Sequence, residues 1–283
     1  MASVDPFESH RALLFSIAYR MLGSVAEAED AVQEAFLRWQ AADQDTIESP
    51  RGYLGTVVTR LCLDQLKSAR ARREQYPGTW LPEPLPTGES HDPMAAAESV
   101  SMAFLVLLES LTPVERAVYL LHEVFDYDHA EVAQIVGKEE AACRQLLHRA
   151  KAHVVERRPR FAPSRAQHER LLHGFLQACA VGDIDGLRAL LTDDVVLWGD
   201  GGGKAPSARK PIFGADHVAR FYGNLGKRIP PGFTIEILDV NGWPAVLARL
   251  DGKPMFVLNL ETDGERICAI RTQLNPDKLA HLT

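Results

Sequence analysis

Residues Pro77 to Pro93 decide how this chain can be divided. Pro77, Pro82, Pro84, Pro86 and Pro93 fall there together with Gly78 and Gly88. Each proline removes a backbone donor and fixes φ near about −65°, so no helix runs through them and an extended linker is expected. Helical periodicity lies on both sides. The pattern changes again after residue 164, where strand-like apolar runs begin. The expected organisation is 8–76, a linker 77–93, 94–158 and 165–283. With 283 residues that are 46% hydrophobic, such parts can each bury a core.

The segment 8–76 reads as all helical. His10 to Leu22 sets Leu13, Leu14, Ile17, Ala18, Met21 and Leu22 at helical spacing, and Gly23 ends it. Ser24 is an N-cap for Val25 to Trp39, apolar through Ala28, Ala31, Val32, Ala35, Phe36 and Trp39. The other side of that helix carries Glu27, Asp30, Gln33 and Glu34. A third helix, Arg51 to Arg73, is apolar through Tyr53, Leu54, Val57, Val58, Leu61 and Leu66. Arg60, Lys67, Arg70, Arg72 and Arg73 make its later part basic.

In 94–158, Met94 to Leu111 is expected as one helix. Thr112-Pro113 opens the next with a cap and a proline at its first position, and two shorter helices surround Gly137. Beyond 164 come helices Arg165 to Val181 and Asp185 to Leu191, then strand signals at Val195–Trp198, Phe233–Val240, Ala245–Leu250, Met255–Leu260 and Arg266–Leu274. A helix, Ala215 to Leu225, interrupts them, and Asp251-Gly252 and Asp263-Gly264 fit hairpin turns. Helices followed by a meander give an α+β order, not the alternation of a doubly wound fold.

Charge and cysteine usage narrow the function. The net charge is −7 and the pI near 5.8, which argues against nonspecific nucleic-acid binding by the chain as a whole. Locally the balance differs: Arg144, Arg149, Lys151, Arg157, Arg158, Arg160 and Arg165 form a second basic run. Either run alone is also what a solvated helix face looks like. Cys62, Cys143, Cys179 and Cys268 show no CxxC spacing, so no metal site, no disulfide framework and no cofactor are expected, and a reducing cytoplasm is the simplest compartment. No leader and no membrane-spanning stretch is read.

The sharpest motif runs from Glu131-Val132-Ala133-Gln134-Ile135-Val136-Gly137 into Ala141 to Ala150. Ala133 lets two helices cross closely, Gly137 supplies the turn, and Cys143 with Leu146 buries the second helix. This is helix-turn-helix spacing. It places Arg144 and Gln145 where base edges can be read, and His148, Arg149 and Lys151 beside phosphates. An ordinary helical hairpin with a basic face is the alternative. The opening Lys138-Glu139-Glu140 has a weak cap, though acids suit a helix start.

With Leu111-Thr112-Pro113-Val114-Glu115-Arg116-Ala117 in front, this motif closely resembles region 4 of bacterial sigma factors, which reads the −35 promoter element. Ala26 to Arg38 resembles the region 2 helix that docks on the clamp coiled coil of RNA polymerase, with Asp30, Gln33, Glu34 and Arg38 as the implied polymerase contacts. Arg51-Gly52-Tyr53-Leu54 through Arg73 resembles the helix that meets the −10 element, and the loop 41–50 lies where that family captures an unstacked base. The absence of a region 3 domain is typical of extracytoplasmic-function sigma factors. The resemblance implies two all-α sigma domains, promoter DNA and the polymerase core (clamp and flap) as partners, and a transcription factor, not an enzyme.

The C-terminal segment resembles the SnoaL-like domain, an α+β cone with a curved antiparallel sheet and an internal pocket. Three motifs point to the sigma factors fused to it. They are Trp80-Leu81-Pro82-Glu83-Pro84, Asp200-Gly201-Gly202-Gly203-Lys204 and Asn275-Pro276-Asp277-Lys278-Leu279. The resemblance implies regulation in cis through these residues, and a pocket that can take a small-molecule ligand. Read without it, 200–204 is equally a flexible hairpin loop. It is no phosphate loop, since Trp198 and Ala205 stand where Gly and Ser or Thr are needed. His168 and His173 lie five apart and diverge on a helix, so no zinc motif forms. Asp216, His217 and Tyr222 remain as acid–base groups a pocket could use.

Overall fold

The computed structural model describes residues 6–87, 100–157, 164–225 and 230–282, without the side chains of 69–74 and 156–157. The chain forms two compact units, 1–75 with 104–158, and 76–103 with 159–283. No described helix is long and apolar enough to cross a membrane.

The first unit is helical. Helices α1 (Pro6–Leu22), α2 (Val25–Ala41) and α3 (Pro50–Glu74) pack on one another through Leu14, Ile17, Ala31, Val32, Ala35, Leu54 and Val58, all buried. Ser24 caps α2, its hydroxyl accepting from the Glu27 amide. Helix α4 (Met102–Leu108) is shorter than the expected helix over 94–111, since Val100 and Ser101 are described and lie outside any helix. Residues 94–99 lie outside the described residues, and the helix breaks before Leu111 into turn bonds at Ser110 and Leu111. Helices α5 (Pro113–Glu123) and α6 (His129–Val136) each open on a capping box, Thr112 with Glu115 and Asp128 with Glu131. Gly137 ends α6 at φ 66°, a left-handed conformation that a Cβ would strain, and α7 (Glu140–Arg157) follows. At 18 residues, α7 is no short helix. Its buried stripe is Cys143, Leu147, Ala150 and Val154, with Leu146 only partly covered.

In the second unit, helices α8 (Arg165–Val181), α9 (Ile184–Leu190) and α10 (Ala215–Leu225) cover one face of a six-stranded sheet. The strands are β1 (Leu191–Asp200), β2 (Ile212–Phe213), β3 (Phe233–Val240), β4 (Trp243–Leu250), β5 (Lys253–Thr262) and β6 (Ile267–Gln273), in the order β2-β1-β6-β5-β4-β3. The domain is α+β as expected, and its sheet is antiparallel except where β1 lies parallel to β6. That pairing joins elements far apart in sequence, so no local turn signal announces it.

Alternation along each strand makes two cores. Val246, Leu258 and Ile270 face Leu172, Phe175, Leu187 and Tyr222 of the helices. Val240, Ala245, Leu247 and Val257 face the other way, onto Leu279 and Leu282 of the C-terminal helix α11 (Pro276–Leu279) and the turn after it. Tyr76 and the described linker residues 77–87 belong to this unit. They are extended but held: the Thr87 amide donates to Asp239 O at 2.9 Å and the Asn241 amide to Leu85 O at 2.8 Å, so Pro86 pairs antiparallel with Val240 at the end of edge strand β3.

Candidate nucleic-acid interface

The turn at Gly137 leaves the first turns of α7 exposed over Lys138, Ala141, Arg144, Gln145, His148 and Arg149. Arg144 pairs with Glu140 one turn before it, so both are solvated. Arg149 lies 3.7 Å from Glu115 and Lys151 2.8 Å from Glu123, acids of α5 that orient both side chains. Arg144, Gln145, His148, Arg149 and Lys151 thus share one rigid helix and one surface. Side chains of this kind have the chemistry for phosphate and for base edges: cations along the rim, and a guanidinium and an amide at the start of the helix.

The basic residues of α3 are arranged differently. Lys67 is exposed and pairs with Asp64 at 2.7 Å, which holds that carboxyl below its ordinary range. The backbone of α3 carries Arg70, Arg72 and Arg73 in its last turns, and their side chains lie outside the described ones. Arg60 is engaged: its Nη2 donates to Gln134 O at 2.9 Å and its Nε to Ile135 O at 3.1 Å, both at the end of α6. The spacing that marks Arg60 as basic carries no sign of this second task.

On α2, Asp30, Gln33, Leu37 and Arg38 are exposed and Glu34 half-buried, with Arg38 donating to Glu34 at 2.9 Å. Leu37 is 53% exposed in the middle of this polar stripe. An exposed apolar side chain beside Gln33, Glu34 and Arg38 has the composition of an interface anchor with a polar rim. The periodicity of α2 hid Leu37 because it lies off the buried stripe.

The three motifs of the second unit converge. Asp200 is fully buried at the end of β1. Its carboxylate accepts from the Tyr76 hydroxyl at 2.6 Å, the Leu81 amide at 2.8 Å, the Gly202 amide at 3.1 Å and Lys278 Nζ at 2.7 Å. Lys278 Nζ also donates to Leu81 O and lies 4.1 Å from the Trp80 ring centroid. Burial and the adjacent Asp200 carboxylate push the Tyr76 phenol up. Gln273 Nε2 donates to Pro82 O at 3.3 Å.

The glycine loop is a fitted contact and not a free hairpin. A Cβ on Gly202 would sit 2.3 Å from Asn275 Nδ2 and one on Gly203 2.8 Å from the Pro77 ring, and both glycines have positive φ. A Cβ on Gly201 would meet Ala205 O at 2.3 Å. Lys204 reaches Asp277 at 2.5 Å, and Pro276 starts α11 behind the Asn275 cap, which brings Lys278 and Leu279 inward.

The acid–base trio does not assemble. Asp216 is exposed and pairs with Arg188 at 2.6 Å, and His217 is exposed on the outer side of α10. Only Tyr222 turns inward, 3.4 Å from the Thr272 hydroxyl, its phenol pushed up by burial. His168 is a packed core residue, its Nε2 2.9 Å from Pro244 O and its pKa lowered by burial. Among the described residues no group of three or more His, Cys, Asp or Glu side chains can hold a metal ion.

Known proteins resemble this chain over nearly its whole length. Residues 6–72 match the family described as Sigma-70 region 2, and residues 101–154 the family described as Sigma-70, region 4. The chain is 43% identical to the ECF RNA polymerase sigma factor SigJ of Mycobacterium tuberculosis over 97% of its own length and 92% of that protein's. It is 35% identical to the probable ECF RNA polymerase sigma factor SigI of the same species, over 99% and 97%. The crystal structure of M. tuberculosis SigJ superposes with a TM-score of 0.78 at 39% identity, covering 97% of each chain. With region 2, region 4 and the appended α+β domain in the same order over nearly the whole length, this chain belongs to the extracytoplasmic-function sigma factors, initiation subunits that bind RNA polymerase core and promoter DNA and are not enzymes.

Proposed function

We propose that this sigma factor is regulated in cis by its own C-terminal domain, which holds the linker between regions 2 and 4 through residues 80–82, 200–204 and 275–279. The observation that carries the reading is the buried Asp200–Lys278 pair closed around Leu81 and Trp80. A domain that grips the tether between two DNA-binding regions controls how far they can be placed apart. In run-off transcription with core polymerase, Trp80→Ala should change output several-fold at equal folded amount. Unchanged output in a variant whose linker is cut faster by protease sinks the proposal. A small-molecule signal in the C-terminal domain would act only by binding one linker state more tightly than the other.

Within this reading α7 is the −35 helix. Arg144 is the base-reading residue, with Gln145 beside it and His148, Arg149 and Lys151 on phosphates. Arg144→Ala should cost about 1–3 kcal/mol on the cognate promoter and little on a scrambled one. Equal loss on both sequences, measured by anisotropy, makes Arg144 a phosphate contact. The stripe of Asp30, Gln33, Glu34 and Arg38 is the clamp-binding face, and Lys67, Arg70, Arg72 and Arg73 serve the −10 region. Reversing charge at Asp30 and Glu34 together should weaken capture of core polymerase at least tenfold while circular dichroism stays unchanged. Retained capture removes this helix from the interface. The factor works in the cytoplasm, where its polymerase is.

A further inference from the structure

Three arginines in the first unit perform one task at three places. Arg60 takes Gln134 O and Ile135 O, two of the last carbonyls of α6, which have no acceptor duty within their own helix. Arg51, at the start of α3, donates to Phe125 O just past α5, and its guanidinium lies 4.5 Å from the Tyr127 ring centroid. From the other side, Arg116 of α5 donates to Met21 O at 2.6 Å in the last turn of α1 and pairs with Glu109 at 2.7 Å. Each guanidinium sits at the negative end of a helix that belongs to the other sigma region.

The surfaces are shaped to each other where these caps lie. Gly55 faces Tyr127 so closely that a Cβ there would stand 2.2 Å from the tyrosine oxygen. Tyr127 is buried, and its hydroxyl donates to Arg51 O at 3.3 Å. Region 4 therefore covers one side of α3 from Arg51 to Arg60.

The caps are unequal. Arg116 is 3% exposed and has the Glu109 carboxylate. Arg60 is exposed and Arg51 half-buried, and among the described residues both hold carbonyl oxygens and no carboxylate. A carbonyl is a neutral acceptor. A phosphate carries a formal negative charge, so a guanidinium meets it as an ion pair and can do so through two parallel N–H···O bonds.

We propose that Arg51 and Arg60 exchange partners, from the carbonyl ends of region 4 to the phosphates of promoter DNA, so that the DNA backbone itself releases region 4 from region 2. The inference rests on the reading of α3 as a DNA-facing helix. It adds Arg51 to the phosphate contacts and gives Arg60 two successive roles. DNA can drive the opening because it meets both guanidinia only in the open state.

The test uses the full chain with spin labels on cysteines introduced at Gln40 and Lys138, both exposed, and with Cys179 and Cys268 replaced by Ser. Cys62 and Cys143 are buried and stay unlabelled. The probes are a short oligothymidylate and a peptide nucleic acid of the same bases with an uncharged backbone, and anisotropy follows binding in the same samples. The free chain should give one short distance. Oligothymidylate should add a longer population, and the uncharged analogue should not. The Arg51→Gln/Arg60→Gln chain should show the longer population without any oligonucleotide. Gly55→Ala, which presses on Tyr127 and leaves both arginines intact, should also open the pair and bind oligothymidylate at least as tightly as the parent.

Oligothymidylate that binds without lengthening the distance overturns the exchange while the DNA-facing reading of α3 stands. So does equal lengthening by the uncharged analogue, a double variant that stays closed, or a Gly55→Ala chain that binds more weakly. Absence of oligothymidylate binding overturns the DNA-facing reading and the exchange with it.

Discussion

Asp200→Ala should destabilise the C-terminal domain by about 3–5 kcal/mol, the range expected when one member of a buried ion pair is removed and the other is left behind. Lys278 would keep its ammonium at 7% side-chain exposure with no counter-charge from Asp200. The Tyr76 hydroxyl and the Leu81 and Gly202 amides would lose the same acceptor. The Leu274 and Asn275 amides bond to the Asp200 carbonyl, so the backbone path survives the change. Urea unfolding measures the loss, and faster protease cleavage near Trp80 reports release of the linker. Asp200→Ala/Lys278→Met should recover part of the stability, since it removes the buried charge that Asp200 had balanced. A single variant within about 1 kcal/mol of the parent, the level of an exposed pair, would mean that the pair is solvated and holds nothing.

Ending the chain before Asn275 should raise promoter output in run-off transcription, whereas removing 165–283 entirely should lower it. The short truncation strips Leu279 and Leu282 from the second core, each worth about 1.5–3 kcal/mol of burial. It also removes Lys278 from Leu81 O, His281 from Pro84 O at 2.7 Å and the Leu282 carbonyl from Arg249 at 2.9 Å. The linker then keeps Asp200 and the β3 pairing but loses the tail that closes over it. The long truncation leaves the linker no partner in this unit, so only the direct contacts of Arg51, Arg60 and Arg116 hold the two regions in place. Equal transcription by all three chains would make the domain a passenger and reopen the question of its interior.

Local signals in the sequence carried the parts of the fold that depend on neighbours. The capping residues Thr112 and Asp128, the left-handed Gly137 and the Asp251-Gly252 turn each act within a few residues, and the helices and strands they bound were legible. The helix-turn-helix was legible for the same reason, although Leu147, and not Leu146, fills its core. Long-range pairings left no such mark. Leu81 looks like any leucine among prolines, yet it is 2% exposed and bonds to a carboxylate 119 residues away. The two-residue strand β2 is too short to show a period, and Arg60 reads as one more basic residue until the α6 carbonyls appear beside it. Convergence of the three motifs could be guessed only from their resemblance to fused sigma factors. Their chemistry, a buried ion pair around a backbone amide, is visible only in three dimensions.

The pairing of Pro86 with Val240 has a consequence for handling the protein. β3 is the sheet's edge, and its middle carries Ile235 and Ile237 at 50% and 40% exposure. Described linker residues pair with its Asp239 end, where Asp239 also binds Arg165 at 2.6 Å. A chain whose linker has let go bares that end as well and offers an unbroken eight-residue ribbon to other chains. Release therefore brings a solubility cost: activated variants should clump on concentration sooner than the parent. A lysine at Ile235 or Ile237, facing solvent on that ribbon, is the substitution to make before purifying them.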